Sequence, residues 1–337
     1  MRYAALAWGI LVTGCISNAP PPIPLNPVRF LLINDVSTAD TLENGRGGLA
    51  RVATVRRRLA DQGPVLFMLA GDVLSPSLAS KYYGGRQMVG VLNRAKLDYA
   101  TFGNHEFDID SDSLIARIAE SEFKWISSNC TRADGTPFPK VLPWDTLRIS
   151  GHKVGVFGLT LQGTYPRYVR CTSPDTAAHR TIETLSSEGA DLIVGLTHQT
   201  MEADRDLLGR EPKLDLILGG HGDQAQDSVV SGRHVVKADA NAVSAQFVTL
   251  WGGKGSWRQA VGLVPIDGTL PFDTLVAPAV ARWNDSLRQR LGPRRTVGST
   301  QVLLEPPVTE ARKGESVLGH LPTDSLPGSR HPRALGQ

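Results

Sequence analysis

The stretch Thr101–Asp108, Thr-Phe-Gly-Asn-His-Glu-Phe-Asp, places an amide, an imidazole and a carboxylate close together at Asn104, His105 and Asp108. An amide oxygen can ligate a hard or borderline metal, and an imidazole can donate a proton. A carboxylate three residues later can orient that imidazole and keep it basic. The octet follows Leu97–Phe102, a short apolar run that reads as a buried strand, and Gly103 allows a sharp turn at its end. Open α/β sheets place their ligands at that edge. Taken alone, Asn-His-Glu is equally well a polar turn after a strand. What separates the two readings is that four other apolar runs also end in metal-ligand residue types. Val28–Ile33 leads into Asn34-Asp35-Val36-Ser37, and Val65–Ala70 into Gly71-Asp72. Leu192–Leu196 leads into Thr197-His198, and Leu214–Leu218 into Gly219-Gly220-His221-Gly222-Asp223.

The elements between these runs must hold their ends in place. Gly45–Leu59 puts Leu49, Val52, Val55 and Leu59 at helical spacing with arginines opposite, and Arg86–Arg94 reads as a second helix. Residues 126–128 and 154–161 read as further strands. Strands alternating with helices predict an α/β domain with largely parallel pairing. The runs at 235–238, 247–251 and 258–264 follow in quick succession, with turns at Gly252-Gly253 and Gly255, and suit an antiparallel finish to the sheet. Val276–Leu291 reads as a helix and Val297–Leu304 as a strand. There is no internal repeat.

Composition fits a globular chain with a real core, since 41% of the 337 residues are hydrophobic and 20% charged. The net charge is only +3 and no basic run interleaves with aromatics, so no nucleic-acid partner is expected. The arginines from Arg282 to Arg295 read as a solvated helix face. Met1–Cys15 reads as an export signal: one Arg precedes an apolar stretch, Tyr3–Val12, too short to span a bilayer. Its end, Leu11-Val12-Thr13-Gly14-Cys15, resembles the lipobox of bacterial lipoproteins. That resemblance implies removal of residues 1–14, an acylated Cys15 as membrane anchor, and a periplasmic or cell-surface lipoprotein. Residues 15–27 are proline-rich and read as a tether. In an oxidising compartment Cys130 and Cys171 could pair, or they could remain buried thiols; their spacing does not decide.

The ordered set Asp-x-x, Gly-Asp, Gly-Asn-His-Glu, His, Gly-His-x-x resembles the calcineurin-like metallophosphoesterases, and within them the 5'-nucleotidase family, over residues 28–266. Gly47-Gly48-Leu49-Ala50-Arg51, Leu74-Ser75-Pro76-Ser77 and Val236-Lys237-Ala238-Asp239-Ala240 extend the likeness. The resemblance implies an α/β sandwich of αββα layers with mixed sheets and a metal site at strand C-terminal ends. It makes Asp72 the bridge between two divalent ions. One ion would take Asn104, His198 and His221; the other would take Asp35 and the residues at 37 and 223. The family usually has His at those last two positions, and this chain has Ser37 and Asp223. The imidazole-rich site suits Zn²⁺, Mn²⁺ or Fe²⁺, whereas Asp35, Asp72 and Asp223 form an oxygen set suited to a weaker Mn²⁺, Mg²⁺ or Ca²⁺.

The activity implied is metal-dependent hydrolysis of a small nucleotide-like phosphomonoester or cyclic phosphodiester, with His105 and Asp108 as the catalytic pair. An impaired metal- or nucleotide-binding lipoprotein on the same scaffold, or a non-functional truncated product, is the alternative. The intact Asn104, His105, Asp108 and His198 favour the enzyme. Beyond residue 266, residues 267–296 read as a linker helix. Arg312–His320 resembles the opening of the second domain of 5'-nucleotidases, so 297–337 reads as a short start of it with a disordered tail.

Overall fold

The computed structural model describes residues 26–293, so the export signal, Cys15, most of the tether and the segment 297–337 lie outside the described residues. The chain divides into two compact units, Met1–Leu287 and Arg288–Gln337, and both sheets belong to the first. Its first half runs β1 (Val28–Ile33), α1 (Leu49–Asp61), β2 (Leu66–Ala70), α2 (Leu78–Tyr83), α3 (Arg86–Ala95), β3 (Tyr99–Thr101), α4 (Ser111–Glu120) and β4 (Lys124–Ile126). Then come β5 (Cys130–Arg132), β6 (Val141–Leu142), β7 (Trp144–Ile149), β8 (His152–Thr160), β9 (Val169–Cys171) and α5 (Pro174–Ser187). The rest is β10 (Leu192–His198), α6 (Met201–Arg210), β11 (Leu216–Gly219), β12 (Gln226–Val230), β13 (Arg233–Lys237), β14 (Ser244–Trp251), β15 (Arg258–Pro265) and α7 (Ala277–Leu291).

These strands form a seven-stranded sheet, β15-β14-β1-β2-β3-β4-β6, and a six-stranded sheet, β12-β13-β11-β10-β8-β7, with β5-β9 as a separate ribbon. Side-chain parity explains the layers. In β1, Phe30 and Leu32 join Met68, Val156, Val194, Leu196 and Leu218 between the two sheets. Their neighbours Leu31 and Ile33 face the other way, onto Val52 of α1, Met88 and Val91 of α3 and Val280 of α7. The outer face of the second sheet, with Phe157, Ile193 and Ile217, is covered by Ile182 and Leu185 of α5 and Leu207 and Leu208 of α6. Strands buried on both faces need apolar residues at every position, which is why the chain shows unbroken apolar runs rather than alternation. The order of layers is helix, sheet, sheet, helix, as the resemblance implied.

Pairing is parallel along β1-β2-β3-β4 and along β8-β10-β11-β13. The antiparallel finish holds for β14 and β15, which close the first sheet against β1. It does not hold for 235–238: β13 lies parallel to β11 in the second sheet, where β12 gives it an antiparallel edge. Quick succession along the chain cannot show which of two stacked sheets a strand enters. The part of α7 within the first unit packs on its helices, with Ala279 and Val280 buried and Trp283 edge-on to Tyr83 at 5.1 Å.

Cys130 and Cys171 stand directly opposite each other on β5 and β9, and they are disulfide-bonded with their Cα atoms 4.0 Å apart. Joining residues 41 apart in sequence removes denatured-state entropy worth about 4 kcal/mol in the chain-entropy account. A Cys130→Ala/Cys171→Ala variant is therefore expected to lose about 2–4 kcal/mol of stability in denaturant titration. An unchanged midpoint would mean that the loop is already ordered in the denatured chain.

Candidate metal centre

Parallel strands end on the same side of a sheet, so β1, β2 and β3 deliver their C-terminal loops to one edge. Strands β10 and β11 deliver theirs from the facing sheet. The loops then bond to one another: Asp35 N–H donates to Gly71 O (3.1 Å), Val36 N–H to Asp72 O (2.9 Å) and Gly220 N–H to Thr197 O (2.8 Å). Other contacts cross between the sheets, two of them at the converging groups. His198 Nδ1 donates to Ala70 O at 2.8 Å, and His221 N–H donates to Asp35 Oδ2 at 2.9 Å.

This crowding has a conformational cost. Asp35, Asp72 and His221 all sit in the left-handed region, at φ of 53°, 55° and 61°. Each such residue costs of order 1–3 kcal/mol and persists only where its surroundings over-determine it. Two glycines make the approach feasible: a Cβ at Gly103 would lie 2.1 Å from Asp72 Oδ1, and one at Gly220 would lie 2.0 Å from Ala70 O.

Asp72, His198 and His221 converge, each offering a ligand atom within 4.8 Å of the others. His198 is fully buried and its Nε2 lies 3.1 Å from Asp72 Oδ2. Because Nδ1 faces a carbonyl, which only accepts, it carries the ring proton in the neutral imidazole and leaves Nε2 as the electron-pair donor. Nε2 is nevertheless off the line of a hydrogen bond to Asp72, and it has no hydrogen-bond partner, like the buried Oδ1 of Asn104. Buried electron-pair donors that aim together without satisfying one another are what a cation site offers, and the carboxylate, imidazole and amide set fits a divalent ion.

The charges agree. Burial works to raise the Asp72 carboxyl, but His198 and His105 outweigh it and hold the group below the usual carboxylate range. Burial also works to lower His198, yet the carboxylates of Asp72 and Asp35 push it up to about 9, so a cation bound at Nε2 takes the place of a proton there. His221 is lowered, first by burial and then by His198. Asp35 is raised, chiefly by burial.

The other residues marked from the sequence are placed unevenly. Next to Asn104, His105 donates its backbone N–H to Asp72 Oδ1 at 2.8 Å, and its Nδ1 meets Asp108 Oδ2 at 2.6 Å. Ser75 Oγ donates to that same Asp108 oxygen at 3.2 Å. Asp35 Oδ2 is occupied by His221 N–H and Asn34 Nδ2, so it braces the second sheet's loop, and it is not one of the three converging groups. Ser37 is held through its backbone N–H by Asn241 Oδ1 (3.0 Å). Asp223 is exposed and does not join Asp72, His198 and His221; its contact in the loop is a carbonyl accepting from Ala240 N–H at 3.1 Å.

Sequence reasoning missed Glu106. It is fully buried, and its carboxylate accepts four backbone N–H groups: Asp72 (2.8 Å), Val73 (2.6 Å), Leu74 (2.9 Å) and Gly103 (2.5 Å). Burial and the nearby Asp72 raise its pKa, and the N–H groups of Leu74, Val73 and Gly103 oppose them. The available signal was the single turn of 3₁₀ helix at His105–Asp108, which sends Glu106 and Phe107 inward while His105 and Asp108 stay at the surface. Three of the four donors, however, lie on the loop after β2. A cavity of about 260 Å³ lies among the loop after β1 and the helices α2, α3 and α7, lined by Ser37, Ser77, Gln87, Met88, Trp283 and Asn284 among others, with no charged residue and none of the converging groups.

Replacing Glu106 by Gln turns one acceptor oxygen into a donor facing N–H groups. The Glu106→Gln variant is expected to lose about 3 kcal/mol of stability in denaturant titration, in line with hydrogen bonds to a charged group. Metal affinity should fall alongside; unchanged stability and affinity together would remove Glu106 from its bracing role.

The family model of the calcineurin-like phosphoesterases matches residues 28–222. Protein 5NUC of Lutzomyia longipalpis is 26% identical over 318 residues, covering 83% of this chain and 54% of that protein. The 5'-nucleotidase of Rattus norvegicus is 24% identical over 325 residues, covering 85% and 55%. The chain thus spans about half the length of the curated relatives it matches. Among solved structures, the calcineurin-like phosphoesterase YfkN of Bacillus subtilis superposes with a TM-score of 0.69 at 20% identity, over 79% of this chain and 98% of that one. The 5'-nucleotidase precursor of Thermus thermophilus gives 0.68 at 22%, over 79% and 60%. Those likenesses show the fold, and the family match covers more than half of the chain, so this protein belongs to the calcineurin-like phosphoesterase family and within it resembles the 5'-nucleotidases.

Proposed function

We propose that the chain is a metal-dependent phosphoester hydrolase of 5'-nucleotidase type, acting on a nucleotide-like phosphomonoester or cyclic phosphodiester. The observation that carries this reading is the convergence of Asp72 Oδ2 and His198 Nε2, with the unpartnered Oδ1 of Asn104 nearby and the His105–Asp108 pair alongside. Asp72, Asn104, His198 and His221 would hold the tighter ion, of Zn²⁺, Mn²⁺ or Fe²⁺ type. A second, weakly held Mn²⁺, Mg²⁺ or Ca²⁺ would rely on Asp35 and Asp72, because Asp223 is exposed outside the cluster. Divalent ions in such a site lower the pKa of a water and neutralise phosphoryl charge.

The protein's own part is positioning and proton transfer. Asp108 accepts from His105 Nδ1–H and orients the ring, so that in its imidazolium form the Nε2–H is left to give the departing alkoxide its proton. Tyr168 steadies the turn beneath that pair, donating its hydroxyl to Ile109 O at 2.6 Å. Export as a Cys15-anchored lipoprotein belongs to the same proposal. The Cys130–Cys171 bond supports an oxidising compartment, and among the described residues no helix is long and apolar enough to cross a membrane. If the anchor is real, Cys15→Ser moves the protein from the membrane fraction to the soluble one; retention in the membrane fraction would exclude it.

His105→Ala is expected to lower turnover of AMP and of an aryl phosphodiester by about 10²–10⁴-fold while bound metal stays near the wild-type level. Asn104→Ala should lose metal as well as rate. Mass-spectrometric metal content measured beside the kinetics separates the two, and a His105→Ala protein as fast as wild type would refute the proton-donor role.

A further inference from the structure

Lys237 lies at the C-terminal end of β13, is 1% exposed, and ends among three oxygen acceptors. Its Nζ donates to Gln199 O at 2.5 Å and to Gly220 O at 2.6 Å, and it pairs with Asp204 Oδ2 at 3.2 Å. An ammonium has three N–H donors and no acceptor; the two carbonyls take two of them, and Asp204 supplies the opposite charge from off the line of a hydrogen bond. The two carbonyls are telling by their place in the chain. Gln199 follows His198 directly and Gly220 precedes His221 directly.

One buried cation therefore ties together the backbone beside both imidazoles of the metal centre, one from the loop after β10 and one from the loop after β11. Asp204, fully buried on α6, closes the arrangement, with Gln199 Nε2 donating to its other oxygen at 3.2 Å. Gly219 leaves room for it: a Cβ there would sit 3.0 Å from both Asp204 Oδ2 and Lys237 Cε.

We infer that Lys237, neutralised by Asp204, is a positioning residue that sets the separation of His198 and His221 for metal binding. The inference rests on the metal reading of Asp72, His198 and His221. Stability alone is a poor reason for such a pair, because well-packed apolar replacements of a buried ion pair are often neutral or stabilising. What an apolar pair cannot do is hold two carbonyls from neighbouring strand ends at hydrogen-bond distance from one atom. Groups that orient metal ligands from behind typically change metal affinity by about 10–100-fold.

Two variants of the full chain, stripped of metal by chelation, test this. Lys237→Met/Asp204→Leu removes donors and charge together, and Lys237→Gln/Asp204→Asn removes the charge but keeps N–H donors for the carbonyls. Zn²⁺ and Mn²⁺ affinities are read by titration calorimetry beside denaturation midpoints. The Met/Leu variant is expected to fold with a midpoint near wild type and to bind metal about 10–100-fold more weakly, with the Gln/Asn variant within about threefold of wild type. Equal affinity in wild type and the folded Met/Leu variant would overturn the role of Lys237, as would a tenfold loss in the Gln/Asn variant. If neither variant folds, the pair serves the fold as a whole and the inference falls. A wild-type chain that binds neither metal would instead overturn the metal reading on which this one rests.

Discussion

A carboxylate buried without a cation is among the costlier groups a fold can hold, unless N–H dipoles surround it. Glu106 is in that position. Its two oxygens take the N–H groups of Asp72, Val73 and Leu74 from the loop after β2 and of Gly103 from the loop after β3. Pulling the two loops onto one anion places Asp72 against Gly103, and Gly103 has no side chain to prevent it. Asn104 and His105 follow in the next two positions, with His105 N–H on Asp72 Oδ1. The first sheet's half of the centre is thus an outcome of where one anion can be solvated by backbone.

The second sheet's half rests on the opposite charge. Lys237 draws the carbonyls beside His198 and His221 towards one ammonium, and Asp204 keeps that ammonium neutralised. Between the halves stand His198 Nδ1 on Ala70 O and Asp35 Oδ2 on His221 N–H. Three non-glycine residues held at positive φ are the sign that these contacts outweigh local preference at this edge. The same edge carries the unsatisfied Asn104 Oδ1 and His198 Nε2, so stored strain and unused ligand atoms coincide. That coincidence is the structural case for a metal centre, independent of any relative.

Ser37 and Asp223, the positions where the resemblance implies histidines, stand apart from the converging groups. Ser37 is fixed by its backbone to Asn241, and Asp223 is exposed rather than gathered with Asp72. Neither position returns an imidazole to that side. The asymmetry leaves two imidazoles, an amide and a carboxylate on one side and mainly Asp35 on the other. On the proposed metal reading it would give one tightly held ion and one weakly held one.

Much of this was legible in the residues alone. Unbroken apolar runs ending in Asp35, Asp72, Asn104, His198 and His221 point to strands buried on both faces that stop at a common edge, because a strand exposed on one face would alternate. The i, i+3 spacing of His105 and Asp108 likewise implied their contact, since one helical turn brings them together. Tertiary structure alone decided the rest. Whether Cys130 meets Cys171 depends on β5 lying against β9, and whether Lys237 serves the first or the second sheet depends on which stacked sheet β13 enters. Glu106 and Lys237 read as ordinary charged residues until the fold buries them, because the groups that satisfy them are largely backbone atoms on other loops. Backbone donors and acceptors are nearly the same at every position of every sequence, so residue types carry no record of which of them a buried charge will find.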